Sequence, residues 1–171
     1  NKATEELLKI NKQNIKEINK HLTKIERLIR QEINTDQELK QEIERIKTVP
    51  GIGDVTAWTL AVKTEGFRRL QDPRKLACFA GVVPFEQQSG SSLKTRPRVS
   101  KMADIELKSI LQMAALRAIR MKNDLQNYYH RKVDEGKNKM SVLNAVRNKL
   151  IHIALALIKN KTFYQDRLVL S

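Results

Sequence analysis

The sequence predicts an all-α protein, an N-terminal coiled-coil arm followed by a compact helical domain. Three observations carry this expectation. Residues 3–33 contain no Gly or Pro and place apolar side chains at alternating spacings of three and four. Downstream, apolar stripes of helical period recur, and between them stand Asp-Pro, Asn-Asp and Gly residues of the kind that start and stop helices.

In the arm, Leu8, Ile15, Ile18, Leu22, Ile25 and Ile29 form the seam, while Lys16, Glu17, Lys20, Lys24, Glu26, Arg27 and Arg30 make the other faces polar. Such a helix must bury its seam against something, and Asn11 within the seam is the kind of polar residue that fixes register between paired helices. A homodimer or higher oligomer is therefore expected, and the arm itself carries no chemistry. Asn34-Thr35-Asp36 interrupts the pattern, and Thr35 with Glu38 has capping-box spacing for a second helix bearing Leu39, Ile43 and Ile46. The arm is assigned to residues 1–47 and the helical domain to residues 48–171.

The domain opens with Val49-Pro50-Gly51-Ile52-Gly53-Asp54, after which Val55, Thr59 and Val62 follow at helical spacing. This resembles the helix-hairpin-helix motif of DNA-binding proteins. Gly51 and Gly53 permit a tight turn without a Cβ penalty, and the turn would present backbone N–H groups to a phosphate at the next helix's N-terminus. Such a contact supplies affinity and register but no sequence code. Pro-Gly turns between helices also serve as pure structure, and Asp54 is a poor neighbour for an anion.

Asp72-Pro73 reads as an N-cap and first helical position, and the short helix through Leu76 and Phe79 stops at Ala80-Gly81. Val82-Val83-Pro84-Phe85 leads into a polar loop. Beyond it Leu107, Leu111, Ala114, Ala118 and Met121 form an inward stripe whose alanines allow close approach of a neighbour. Asn123 or Asp124 begins a helix with Leu125, Tyr128 and Tyr129, and Gly136 ends it. The last helix runs from about Met140 to Ile158 with Leu143, Val146, Leu150, Ile153, Ala154 and Leu157 inward. Lys137, Lys139, Arg147, Lys149, Lys159 and Lys161, together with Arg117, Arg120 and Lys122, are expected as a basic exterior.

A chain of 171 residues with 40% hydrophobic content can bury one core of ordinary size. Its formal charge of +14 exceeds what solubility requires and favours a polyanionic partner, DNA or RNA. The single cysteine, Cys78, excludes an internal disulfide framework and a multi-cysteine zinc site, in keeping with a reducing cytoplasm. No apolar run approaches the roughly 20 residues that span a bilayer, so no membrane partner is expected. His21, His130 and His152 have no ligand spacing, and no metal site is expected in this chain.

The polar loop is Ser89-Gly90-Ser91-Ser92-Leu93-Lys94-Thr95-Arg96-Pro97-Arg98-Val99-Ser100-Lys101. On composition alone it is an ordinary solvated connector, but hydroxyls that can attack alternate here with cations that can hold phosphate. The order of parts then becomes specific: Pro-Gly-Ile-Gly, Lys-Leu-Ala-Cys-Phe-Ala-Gly-Val-Val-Pro, Gln-Ser-Gly-Ser-Ser, a basic run with Val-Ser-Lys, and an Ala-Ala-Leu helix. From about Ile46 to Leu157 this resembles the C-terminal half of insertion-sequence transposases of the IS110 family, in which a coiled coil also precedes the domain. Two departures are Met102-Ala103-Asp104 where the family commonly has Gly-Asn, and Thr95-Arg96-Pro97 where it has a glycine.

The resemblance implies a DNA recombinase that forms a covalent phosphoserine link, with Ser89 as the catalytic serine and a structured guide RNA as a further partner. It also implies a separate RuvC-like domain with a DEDD set of carboxylates, where magnesium would bind. The chain begins at Asn1, without Met and already inside a helical pattern, so it reads as a fragment lacking that domain and inactive alone. No cofactor is expected within it. Lys94, Arg96, Arg98 and Lys101 are the cations expected to clamp nucleic acid beside Ser89, with Gly51 and Gly53 at the second contact. The alternative is a non-catalytic helix-hairpin-helix nucleic-acid-binding module dimerised by a coiled coil.

Overall fold

The uninterrupted heptad stretch forms one helix, α1 (Lys2–Thr35), and after a single non-helical residue the chain re-enters a helix, α2 (Gln37–Lys47). These and all features below belong to a computed structural model that describes residues 2–83 and 103–166, among which there are seven helices and no strand. The expected all-α class is therefore observed. The cap between α1 and α2 differs from the capping box read from Thr35. Thr35 is still inside α1, and its hydroxyl donates back to the Glu32 carbonyl at 2.7 Å. Asp36 is left as the junction, and its carboxylate accepts from the N–H groups of Glu38 and Leu39, both at 3.0 Å.

The chain divides into two compact units, residues 1–40 and 41–171. In the first, Leu8, Ile15, Ile18, Leu22 and Ile25 are each more than half exposed. In the second, α7 (Lys139–Asn160) packs against α4 (Pro73–Phe79), α5 (Ile105–Ala118) and α6 (Asp124–Asp134), and α3 (Asp54–Lys63) packs against α5. Ile43 and Ile46 of α2, Leu60, Leu76, Leu107, Leu111, Val146, Leu150 and Ile151 are buried in this core. By length and composition α7 could cross a membrane, but its apolar side is the face packed on three neighbouring helices.

Each helix from α4 onward starts on an Asp or Asn whose side-chain oxygen accepts from the first turn: Asp72, Asp104, Asn123 and Asn138. Asn123 is almost fully buried and donates as well, to the carbonyls of Ala118 and Met121 at 2.8 and 2.7 Å, so it fastens the end of α5 to the start of α6. Gly81 and Gly136, at φ +62° and +84°, are the stops expected after α4 and α6.

Two packing expectations change, at Met121 and Ile153, and the inner face of α3 is set by its neighbour. The buried face of α3 is Thr56, Ala57, Leu60 and Ala61, whereas Val55 and Val62 face outward, 57% and 75% exposed. The helix turns its small residues inward because it lies against α5, whose buried residues include Ala114, Ala115 and Ala118. Met121 lies beyond the end of α5 and is exposed, and Ile153 is only half-buried while Ile151 and Leu155 take the interior of α7. After α3 the chain reverses through Glu65, Gly66 and Phe67, all at positive φ. Buried Thr64 holds this turn, its hydroxyl donating to the Leu60 carbonyl at 2.6 Å and accepting from the Phe67 N–H at 3.1 Å.

The turn between α2 and α3 depends on one glycine more than the other. Gly51 has φ +90°, and a Cβ there would collide with the carbonyl oxygen of Ala114 and come within 3.0 Å of the Ala118 methyl. A Cβ at Gly53 would meet nothing within 4 Å. Gly51→Ala is expected to destabilise the chain by more than about 2 kcal/mol, combining positive-φ strain with displacement of α5. Gly53→Ser, which gives α3 a capping hydroxyl, should be neutral or stabilise by a few tenths of a kcal/mol. Urea unfolding of the two variants checks this, and equal stabilities would contradict it.

Candidate nucleic-acid interface

Two regions of the second unit bear on the sites expected from sequence. The first is the turn at residues 48–53. Val49 and Ile52 are buried and seat the turn, while Gly53 starts α3 in an extended conformation without a side-chain cap. A Cβ at Gly53 would have open space around it, and α3 starts without a side-chain cap from Gly53. Beside this start Lys47 bridges Glu44 and Asp54, each at 2.9 Å, and these carboxylates, Glu44 foremost, hold its pKa above the usual lysine value. The Thr48 hydroxyl accepts from the Tyr164 N–H at 2.9 Å, and the Tyr164 hydroxyl donates to Asp124, so the chain beyond α7 is tied back to this turn and to α6.

The second region is where residues 84–102 leave and rejoin the described chain. Ser89, Lys94, Arg96, Arg98 and Lys101 all lie in that stretch, outside the described residues. Its two ends are fixed on the same part of the fold. Asn144 of α7 donates to the Val82 carbonyl at 2.8 Å, and the Asp104 N–H donates to the Phe79 carbonyl at 2.9 Å. Asp104 then accepts from the Leu107 N–H at 2.8 Å, and Lys63 of α3 reaches Asp104 at 2.8 Å and Glu106 at 2.9 Å. The Leu107 N–H first, and then Lys63, hold the Asp104 carboxyl below its ordinary range.

Arg117, Arg120, Lys122, Lys137, Lys139, Lys149, Lys159 and Lys161 are exposed as expected. Arg147 is not on this exterior. It is half-buried, on the same arc of α7 as buried Leu143, Leu150 and Ile151. A groove between α6, α7 and the chain after α7 is lined by Tyr128, His130, Arg131, Lys149, His152 and Tyr164, with the Lys149 ammonium 4.5 Å above the Tyr128 ring. Among the described residues, no three His, Cys, Asp or Glu side chains are gathered as a metal site would need. Asn144 and Tyr164 carry no sequence signal, since their partners Val82 and Thr48 lie 62 and 116 positions away, and Asp104 is noted in the sequence only as part of a departure from the family pattern.

Residues 43–130 match the model of the transposase IS116/IS110/IS902 family, 88 of the 171 residues. The chain belongs to the IS116/IS110/IS902 transposase family. The matched span runs from α2 into α6 and includes both regions described above. Among related proteins, the pilin gene-inverting protein of Moraxella bovis is 29% identical over 91% of this chain and 48% of its own length. The probable family 20 transposase of Pseudomonas aeruginosa is 25% identical over 94% of this chain and 47% of its own. The transposase for insertion sequence element IS1111A of Coxiella burnetii is 23% identical over 79% and 38%. This member of the family thus spans half or less of the length of these relatives.

The Asp104 cap yields a pH prediction. A depressed folded-state pKa contributes stability that is present above the ordinary carboxyl value and lost as pH falls through the folded value. Asp104→Ala should cost about 1 kcal/mol at neutral pH, and the gap from the parent chain should shrink as the pH is lowered below about 4. Denaturant titrations at several pH values check this, and a gap unchanged down to about pH 2 would contradict the carboxylate's role.

Proposed function

We propose that this chain is the serine-bearing part of a DNA recombinase of insertion-sequence transposition, with Ser89 as nucleophile. The observation that carries the reading is the family match over residues 43–130, which encloses the Ser89-Gly90-Ser91-Ser92 element and the basic residues after it. The Ser89 oxygen attacks a backbone phosphorus, an O–P bond forms as the bond from phosphorus to one sugar oxygen breaks, and the hydroxyl proton ends on the departing oxygen or on a base. One phosphodiester replaces another, so the bond energy is retained for rejoining. Lys94, Arg96, Arg98 and Lys101 offset the phosphoryl charge.

The metal-binding carboxylates of the reaction are assigned to a RuvC-like domain elsewhere in the full-length protein, as the family resemblance implies. The chain alone is accordingly expected to bind DNA without cleaving it. DNA is the partner that suits the +14 charge, and a structured guide RNA the partner that suits the family. The turn at Gly51 and Gly53 would act as a hairpin contact to backbone phosphate, with Gly51 shaping it and Gly53 leaving room for the anion.

A second copy of the chain is the proposed cover for the α1 seam. Burying each of its large apolar residues gives about 1.5–3 kcal/mol, and strand exchange needs more than one serine. Light scattering should find a dimer or larger species, with Ile18→Asp combined with Ile25→Asp giving folded monomers. A parent chain that is monomeric at tens of micromolar would remove this element.

The deciding test for the nucleophile is Ser89→Ala in the full-length protein, assayed for joining and for binding of the same DNA. Loss of joining by more than about a thousandfold with binding retained supports the reading. Equal joining by the variant removes it and leaves the non-catalytic binding module.

A further inference from the structure

We propose that Arg147 is a phosphate seat set into α7, beside the point where residues 84–102 leave the fold. The nucleic-acid reading above, on which this rests for the phosphate's source, makes the ligand a backbone phosphate of DNA or RNA.

Arg147 stands on an arc of α7 that otherwise faces the core. Its helical neighbours Leu143, Val146, Leu150, Ile151 and Ala154 are 0–4% exposed, so a cation occupies a face otherwise given to the core. Among the described residues the Arg147 Nε is buried without an acceptor, and burial draws the guanidinium pKa downward. A charge held this way is costly unless an anion completes it. The fold meets that requirement elsewhere: Lys47, Lys63 and Lys132, whose side chains are 24–29% exposed, each have a carboxylate within 2.9 Å. Arg45, whose Nε is likewise unmatched, still donates from Nη2 to Gln41 at 3.2 Å.

The surroundings point the same way. The side-chain oxygen of adjacent Asn148 is also buried and unmatched, and rotation of its amide would present N–H groups to an anion instead. Asn144, one turn earlier, holds the Val82 carbonyl, so Arg147 and Asn148 continue the face of α7 from which residues 84–102 depart. A guanidinium fork matches two phosphate oxygens, and partial burial strengthens the pair by excluding water.

The test uses the whole chain with Arg147→Met, which keeps the apolar volume, Arg147→Lys, which keeps charge without the fork, and Lys139→Gln as an exposed-cation control. Thermal unfolding is followed with inorganic phosphate against chloride at equal ionic strength, and binding of a 20-base-pair duplex is followed across salt. The parent chain and the control should gain melting temperature from phosphate, and both Arg147 variants should lose most of that gain. Arg147→Met should melt at or above the parent without phosphate, and its plot of log affinity against log salt should be shallower by about 0.9. If Arg147→Met does not fold, Arg147→Gln, which likewise removes the charge, carries both readouts. An equal phosphate gain in parent and variants overturns the seat. A phosphate gain that depends on Arg147 in a chain that binds neither the DNA duplex nor an RNA duplex of the same length keeps the seat and removes the nucleic-acid reading.

Discussion

The contact on which the second unit depends is the approach of the turn at Gly51 to the backbone of α5. The Gly51 Cα faces the Ala114 carbonyl and the Ala118 methyl with no room for a further carbon. That closeness sets where α3 begins, and α3 then lies on α5 with its own small residues inward. From α3, Lys63 reaches Asp104 and Glu106 at the start of α5, so the same pair of helices that the glycine lets together also fixes one end of the stretch holding Ser89. Asn144 fixes the other end from α7. A packing constraint at one end of the unit is thereby connected, through short and specific contacts, to the region assigned the chemistry.

This arrangement divides labour between shape and charge. The core supplies fixed points, Phe79, Val82 and Asp104, between which a hydroxyl- and cation-rich segment is carried. Cations with structural tasks are paired with carboxylates, as Lys47 and Lys63 are, and are thereby partly neutralised for binding. The exposed lysines and arginines of α7 and of the α5–α6 junction retain their field for a polyanion, the long-range part of association. Arg147 stands apart from both groups because it is partly sunk in the core and has no carboxylate partner among the described residues.

Much of the helical order was legible from the sequence because it depends on local signals. Asp72-Pro73, Asn123 and the glycines at 81 and 136 act within a turn of their own positions, and they start or stop helices as read. The Thr35 box failed over a single residue: α1 runs one position further, and Asp36 takes the cap. Burial was less legible. Val55 and Val62 are apolar and periodic yet outward, since the inner face of α3 is decided by the close approach to α5 and favours alanine there. Arg147 reads as exterior because a charge on a basic helix is ordinarily solvated, and only the packing of α7 against three helices shows otherwise. Contacts such as Asn144 to Val82 and Tyr164 to Thr48 span 62 and 116 positions and leave no periodic trace.

The central claim, that a serine of this chain becomes joined to DNA, is tested most directly by isolating the covalent adduct. Full-length protein reacted with its DNA and digested with protease and nuclease should yield one peptide that carries a nucleotide, and fragmentation should place the phosphate on Ser89. A nucleotide found on another side chain, or strand exchange proceeding with no protein–DNA adduct at all, would contradict the account.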